Sequence, residues 1–309
     1  METPTIHELP SFLDDFIYNS LHAVYRPDFV KFEYNLELES NDLLIYLGTY
    51  FPRSFCEIRE ICKELNNNTD LFNYLHDKET IRILDFGCGS GGELIGLAMF
   101  LNQLNLPLKK LEILGIDGNP GALRLLDKIS KEISKHVSFE IDCMAGPVFV
   151  GSEEDLNIIG EVLDKPFDFI LAFKSICELV ARERITTNAY YYCAKLLSKY
   201  LAQEGVMVFV DVTIKNSVIN QFLPIYMSKG LSKFITESNN EFHTIYPNIC
   251  SSNEHQCTSG CFYNKRLTIN HSRRKGDKTK ITYRVMCRSE FFKKLHIDSK
   301  ETISCVQVR

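Results

Sequence analysis

No apolar run in this 309-residue chain approaches the roughly 18 residues that cross a bilayer, so a membrane-spanning protein is excluded. The opening Met1-Glu2-Thr3-Pro4 lacks the charged-then-apolar pattern of a secretory signal and the Arg-rich pattern of a transit peptide. Internal repeats and low-complexity tracts are also missing. With 45% apolar and 24% charged residues, the composition is that of an ordinary soluble globular protein, long enough for about two domains or one domain with appendages. Eleven cysteines without a secretion signal point to thiols or metal ligands in a reducing compartment, not to a disulfide framework. A cytoplasmic protein is expected.

A net charge of −5 gives no general affinity for nucleic acid, but the distribution is uneven. Between Lys265 and Arg288 stand nine basic residues (Lys265, Arg266, Arg273, Arg274, Lys275, Lys278, Lys280, Arg284, Arg288) against Asp277 alone. Such a strip either attracts phosphates or is a solvated hairpin edge whose charges prevent aggregation.

Residues 1–79 read as a helical region, with apolar residues recurring as Leu43, Leu44, Tyr46 and Leu47 and then Phe55, Ile58, Ile61 and Leu65. It ends in a polar run, Asn66 to Asp70, that reads as a loop. From residue 80 to 309 the texture becomes short apolar runs alternating with amphipathic helices, the pattern of an α/β unit with a parallel sheet. Strands are predicted at Ile81–Phe86, Leu111–Ile116, Phe167–Phe173 and Val206–Val212, with a fifth at Val137–Ile141. Leu123, Leu126, Ile129 and Ile133 fall on one helical face. A further helix is predicted from Ser217 to about Phe234. Leu267–Ile269 and Lys280–Met286 read as a closing antiparallel hairpin.

The most informative stretch is Ile83-Leu84-Asp85-Phe86-Gly87-Cys88-Gly89-Ser90-Gly91-Gly92, a strand running through alternate glycines into a helix. Glycine there permits a sharp turn and close approach of a ligand to the backbone, at the sheet edge where such folds bind ligands. A tight turn with no ligand is the plainer reading. No Lys-Ser/Thr follows, which argues against a P-loop. Asp85 before the glycines is placed to accept from the amino group of a methionine moiety. Asp117, ending the next strand, can bind both hydroxyls of a ribose. Together with the terminal hairpin these favour S-adenosylmethionine over a dinucleotide.

Over roughly residues 80–290 the sequence resembles the class I S-adenosylmethionine-dependent methyltransferases. The resemblance implies a Rossmann-like seven-stranded α/β sheet, here with a helical N-terminal extension. It places Asp85, Gly87, Gly89 and Gly91 around the methionine part and Asp117 at the ribose. It also puts Asp142 near the adenine amino group, where a surface carboxylate is the alternative.

The group that would do the chemistry is not evident. In place of the Asn/Asp-Pro-Pro-aromatic motif of amino-directed nucleic-acid methyltransferases stands Phe173-Lys174-Ser175-Ile176-Cys177-Glu178-Leu179. Cys177 lacks the neighbouring proline of cytosine-C5 enzymes and reads as a small core residue. Glu178 is the weak catalytic candidate, either a base or an acid favoured in the first turn of a helix.

Cys250, Cys257 and Cys261 lie close together in a segment without helical periodicity. Thiolates so placed can bind zinc or an iron–sulfur cluster, with Cys287 as first choice for a fourth ligand and His255 or Cys305 as substitutes; incidental free thiols are the alternative. The Cys-rich segment is taken as 246–290.

Three segments together are similar to the Rsm22-like family of small-subunit ribosomal methyltransferases: Tyr46 to Glu57; Phe167 to Leu179 with its Ser-x-x-Glu-Leu ending; and Cys250, Cys257, Cys261-Phe262 followed by a basic stretch and Ile281 to Val285. Ser251 and Ser252 stand where that family has Pro-His, and Val210-Asp211-Val212-Thr213 replaces its Glu-x-Gly-Thr. The likeness implies a cofactor pocket, a cysteine-bound metal centre and association with ribosomal RNA or the small subunit through 265–288. The alternatives are an assembly protein that keeps the fold without transferring methyl groups, and a methyltransferase for a small molecule or a protein side chain.

Overall fold

A computed structural model describes residues 6–28, 40–163, 165–247 and 263–298. In chain order the elements are β1 (Ile6–Glu8), α1 (Ser11–Asp15), α2 (Ser40–Asn68), β2 (Thr80–Phe86), α3 (Gly92–Gln103), β3 (Lys110–Asp117), α4 (Pro120–Ile133), β4 (Glu140–Pro147) and α5 (Glu153–Val162). There follow β5 (Phe167–Phe173), α6 (Ile176–Ala181), α7 (Ala189–Leu197), β6 (Leu201–Val212), β7 (Lys215–Asn216), β8 (Gln221–Phe222), α8 (Leu223–Glu237), β9 (Phe242–Tyr246), β10 (Lys265–His271), β11 (Arg274–Arg288) and α9 (Ser289–Phe292).

The main sheet runs β1-β10-β11-β6-β5-β2-β3-β4, and β9 also pairs with β11. Strands β2 to β6 are mutually parallel, whereas β11 is antiparallel to β6, β9 and β10. This is a mixed α/β, Rossmann-like architecture. Its central strands are buried on both faces, as β5 shows with every residue of Phe167–Phe173 buried.

Nine strands form this sheet where seven are expected. One addition is β1, which pairs parallel to β10 at the far edge. The other arises because the position beside β11 is filled by two collinear pieces. Tyr246 of β9 lies opposite Val285 and Lys265 of β10 opposite Ile281, so both pieces pair along the same side of β11. Cys250, Cys257 and Cys261, the first three ligands expected for a metal, fall between them in sequence and lie outside the described residues, as do His255 and Cys305.

One apolar core joins the sheet to α2 and α3, and a second joins its other face to α5, α6, α7 and α8. Helix α2 continues through Asn66, Asn67 and Asn68, where a loop is expected; Asn68 Nδ2 bonds Glu64 O at 2.8 Å and keeps the last turn closed. Gly96 allows α3 to seat directly on α2, since a Cβ there would stand 2.6 Å from the Phe55 carbonyl oxygen. Asn119 caps α4 by accepting from the N–H groups of Gly121 and Ala122, with Pro120 at the first helical position.

Asp277, the lone acid of the basic strip, accepts two hydrogen bonds from Arg53 of α2, both at 2.8 Å, and a third from Tyr25 at 2.9 Å. This carboxylate fastens the β10–β11 hairpin to the long N-terminal helix. No helix among the described residues is long and apolar enough to cross a membrane.

Candidate active site

Strands β2 and β5 are neighbours, but the chain leaves β2 toward β3 and leaves β5 toward β6 on the opposite side. The crevice where strand order reverses is where open α/β sheets hold ligands. Here it is a cleft enclosing about 570 Å³ of space, its open mouth included. Its apolar walls are Phe86, Ile116, Val148, Val150, Phe173 and Leu179. Its polar groups are Tyr46, Asp117, Lys174, Ser175, Glu178 and Arg184.

The glycine loop forms one wall. Gly87, Gly89 and Gly91 have φ of +78°, +49° and +77°, a region that residues with a side chain adopt only with strain. Backbone bonds fix the loop to β3: Gly87 and Cys88 donate to Ile116 O at 2.7 and 3.1 Å. A Cβ at 87 would fall 2.2 Å from that of Ser175, and one at 91 would fall 2.4 Å from a Leu126 methyl. These two glycines therefore answer to the protein's own packing as well as to a ligand. Gly89 faces Tyr46, whose hydroxyl would lie 3.0 Å from a Cβ.

Asp117 ends β3 on the cleft. One carboxylate oxygen accepts from Gly89 N–H and the other from Asn119 N–H, each at 2.8 Å. Each oxygen keeps a further lone pair for a hydroxyl. Burial pushes its pKa up and the two N–H bonds pull it back.

Asp85 lies directly behind the Phe86–Gly87 rim, fully buried, and neither of its oxygens has a hydrogen-bond partner among the described residues. Burying such a carboxyl without a partner is costly. Burial first, and the charge of Glu93 second, raise its pKa well above the usual carboxylate range. Two orphaned acceptors at this place fit the amino group of S-adenosylmethionine, and the Asp117 carboxylate fits a ribose diol.

The opposite wall begins where β5 ends. Lys174 has φ +55° and places Nζ 2.6 Å from Oε2 of Glu57, a fully buried residue of α2 that also accepts from Thr279 at 2.7 Å. Ser175 Oγ donates to Phe86 O at 2.7 Å and ties this loop to β2. Asp211, near the end of β6, accepts from Tyr190 hydroxyl at 2.6 Å and from Cys177 N–H at 3.1 Å, which holds the first turn of α6 in place. The Cys177 thiol donates to Lys174 O at 3.1 Å, and burial pushes its pKa far up, so it stays a thiol. Glu178 lines the cleft, its pKa pushed up to about 8 by burial and then by the charge of Asp117.

Gly87, Asp117 and Glu178 line the cleft and Gly89 is bonded to Asp117, while Asp85 and Gly91 lie on the same strand and loop behind its wall. Asp142 lies apart from them. Strand β4 begins at Glu140 instead of ending at Ile141, so Asp142 stands level with Glu112 while Pro147 is level with Asp117. Five residues of strand, roughly 16 Å, separate it from the cleft end. There it pairs with Lys110 at 2.7 Å, as the surface-carboxylate alternative requires.

Cys287 is fully buried in β11, donating to Arg288 O at 3.3 Å, and burial pushes its pKa up to about 12. No cluster of three metal-binding side chains occurs among the described residues. Of the nine basic residues, Lys265 is bound to Glu60 and Glu64, Arg273 to Tyr18 and Asn19, Arg284 to Ser228, and Arg288 to Ser198 and Leu201. Arg266, Arg274, Lys275 and Lys278 are exposed.

Tyr46, Glu93 and Arg184 were not singled out as site residues by the sequence. They come from distant segments, and nothing in the spacing of Tyr46 or Arg184 marks them. Glu93, one residue into the helix after the glycines, is the one that a search for acids beside the loop could have found.

No family model matches the chain, and no curated protein matches it. Among solved structures it is similar to a magnesium protoporphyrin IX methyltransferase from Synechocystis PCC 6803 with bound SAH, at 9% identity over 88% of this chain and 96% of that one, with a TM-score of 0.41. It is also similar to an S-adenosylmethionine-dependent methyltransferase from Clostridium acetobutylicum ATCC 824 (12% identity, 80% and 95% covered, TM-score 0.42). A third is a precorrin-6y C5,15-methyltransferase from Geobacter metallireducens GS-15 (13% identity, 74% and 86% covered, TM-score 0.40).

Proposed function

We propose that this chain is an S-adenosylmethionine-dependent methyltransferase whose acceptor is RNA of the small ribosomal subunit. The observation that carries the cofactor is Asp117 on the switch-point cleft, with Asp85, buried and with both oxygens unpartnered among the described residues, directly before the Phe86–Gly87 wall. When bound, the cofactor would supply an electrophilic methyl group. Asp85 would hold its amino group, Asp117 its ribose, and the apolar walls its adenine. Transfer then requires an acceptor positioned in line and kept from water, which is work for Tyr46, Lys174 and Glu178 at the cleft. Glu178, its pKa raised to about 8 by burial, is the cleft group that would take up, once ionised, the proton a nucleophilic acceptor gives up.

The RNA acceptor is supported by the hairpin. Ile281 of β11 is level with Val212 at the end of β6, and Arg274 precedes it by seven residues. The hairpin therefore overshoots the cleft-bearing edge of the sheet by roughly 24 Å of strand, with Arg274, Lys275 and Lys278 exposed on it. A zinc ion or iron–sulfur cluster on Cys250, Cys257 and Cys261 belongs to the same reading.

The test is transfer of tritiated methyl from S-adenosylmethionine to purified small ribosomal subunits. Binding of ribosomal RNA should weaken steeply with salt and fall when Arg274, Lys275 and Lys278 are changed to Glu. Turnover on a small molecule with no RNA affinity would instead favour the small-molecule reading. Cofactor and RNA binding without any turnover would favour the assembly protein.

A further inference from the structure

We propose that Lys174, steadied by the buried carboxylate of Glu57, takes the carboxylate of the cofactor's methionine part, so that Lys174 and Asp85 together recognise an amino-acid zwitterion. The inference rests on the methyltransferase reading and adds to this lysine, already placed beside the acceptor, a hold on the cofactor's second charge.

S-adenosylmethionine ends in an ammonium and a carboxylate. The ammonium has its acceptor in Asp85, buried with both oxygens unpartnered among the described residues. The carboxylate needs a cation at the same end of the cleft. Two cations line that cleft, Lys174 and Arg184. Arg184 is held on the β4 side, where it donates to Val150 O at 3.0 Å and lies 4.9 Å over the ring of Phe149. Lys174 belongs to the glycine-loop side. Ser175, the next residue, donates to Phe86 O at 2.7 Å, and its Cβ lies 2.2 Å from where one at Gly87 would stand.

The lysine is fixed at backbone and side chain alike. Its N–H donates to Val210 O at 2.8 Å, its carbonyl accepts from the Cys177 thiol at 3.1 Å, and its ammonium stands 2.6 Å from Glu57 Oε2. Glu57 is held in turn by the Thr279 hydroxyl of β11 at 2.7 Å. It belongs to the stretch of α2 that seats directly on the start of α3, since a Cβ at Gly92 would stand 2.7 Å from Phe51 O. The ion pair thus stands near the place where the glycine loop becomes a helix. The side chain of Lys174 is 17% exposed and that of Glu57 0%, so only the lysine side of the pair can meet a ligand. An ammonium has three N–H donors; Glu57 engages one, and no other acceptor is bonded to Nζ among the described residues.

Calorimetric titration with three nucleosides tests this: S-adenosylhomocysteine, its decarboxylated counterpart, which keeps the amino group, and 5′-methylthioadenosine, which lacks both charges. The wild type should prefer S-adenosylhomocysteine to the decarboxylated nucleoside by roughly tenfold to a hundredfold, the scale of a hydrogen bond between charged groups. Lys174→Met should abolish that preference and leave the affinity for 5′-methylthioadenosine unchanged, which a merely structural role would not do. Because this variant strands a buried carboxylate, Lys174→Met combined with Glu57→Gln provides a second one without either charge, and it should behave alike. Lys174→Arg should keep most of the preference. A preference absent from the wild type, or surviving in either Lys174→Met variant, overturns the inference and leaves the methyltransferase reading standing. Failure of all three nucleosides to bind the wild type overturns that reading first, and the inference with it.

Discussion

The backbone N–H of Gly89 donates to the carboxylate of Asp117 at 2.8 Å, so the glycine loop after one strand hangs from the last residue of its neighbour. The residue proposed to bind ribose thus also shapes the loop proposed to bind methionine.

Replacing Asp117 by Ala should accordingly weaken S-adenosylhomocysteine binding by about 1.5–3 kcal/mol, the scale of hydrogen bonds to a charged group. Asp117→Asn, which keeps an acceptor for one N–H, should lose less. Calorimetric titration of both variants checks this, and unchanged affinity in the alanine variant would place the ribose elsewhere.

Glu178 carries a pH signature. Its folded pKa of about 8 lies above the roughly 4.3 of an unfolded chain, so the folded state binds the extra proton between those values. Stability contributed by this group is therefore present below about pH 4 and declines as pH rises toward 8. Glu178→Gln escapes that decline. Its melting temperature should exceed that of the wild type at pH 8.5, and the two should converge near pH 4. In a methyl-transfer assay the same variant should lose any limb of the pH–rate profile centred near 8.

Gly87→Ala and Gly276→Ala separate backbone strain from collision. Both positions have φ above +70°, and nothing lies within 4 Å of a Cβ at 276, whereas Ser175 blocks one at 87. Urea unfolding should show a loss of about 1–2 kcal/mol at 276, the cost of a left-handed residue, and a clearly larger loss at 87. Equal losses would mean that Ser175 moves aside freely.

Metal is tested by elemental analysis of protein purified without oxygen. Zinc at about one equivalent, or iron with matching sulfide at about two or four equivalents, is expected in the wild type and only traces after Cys257→Ser. Absence of both from the wild type would return the three cysteines to ordinary thiols.

The sheet's central strands and the glycine loop were legible because they carry strong local signals: unbroken apolar runs such as Phe167–Phe173, and glycines where φ must be positive. Strand β4 was placed too early for a physical reason. Glu140–Pro147 is an edge strand paired only with β3 and half open to solvent, so its residues need not be apolar, and the apolar cluster before it drew the boundary backward. That error moved Asp142 to the wrong end of the sheet. Lys174 could be read as following the strand Phe167–Phe173, but not as the partner of Glu57, because that pair spans more than a hundred residues and depends on how α2 lies over the sheet. The basic strip overstated its free charge because a composition count cannot tell Lys265, bound between two glutamates, from Lys275, exposed at the hairpin tip.

The break between Tyr246 and Lys265 has an architectural consequence. Because β11 runs uninterrupted past it, the pairing of β11 with β6 is continuous across the break, and roughly three strand spacings, about 14 Å, lie between that edge and β5. Both ends of the break are thus fastened to one continuous rail that stands apart from the switch-point cleft.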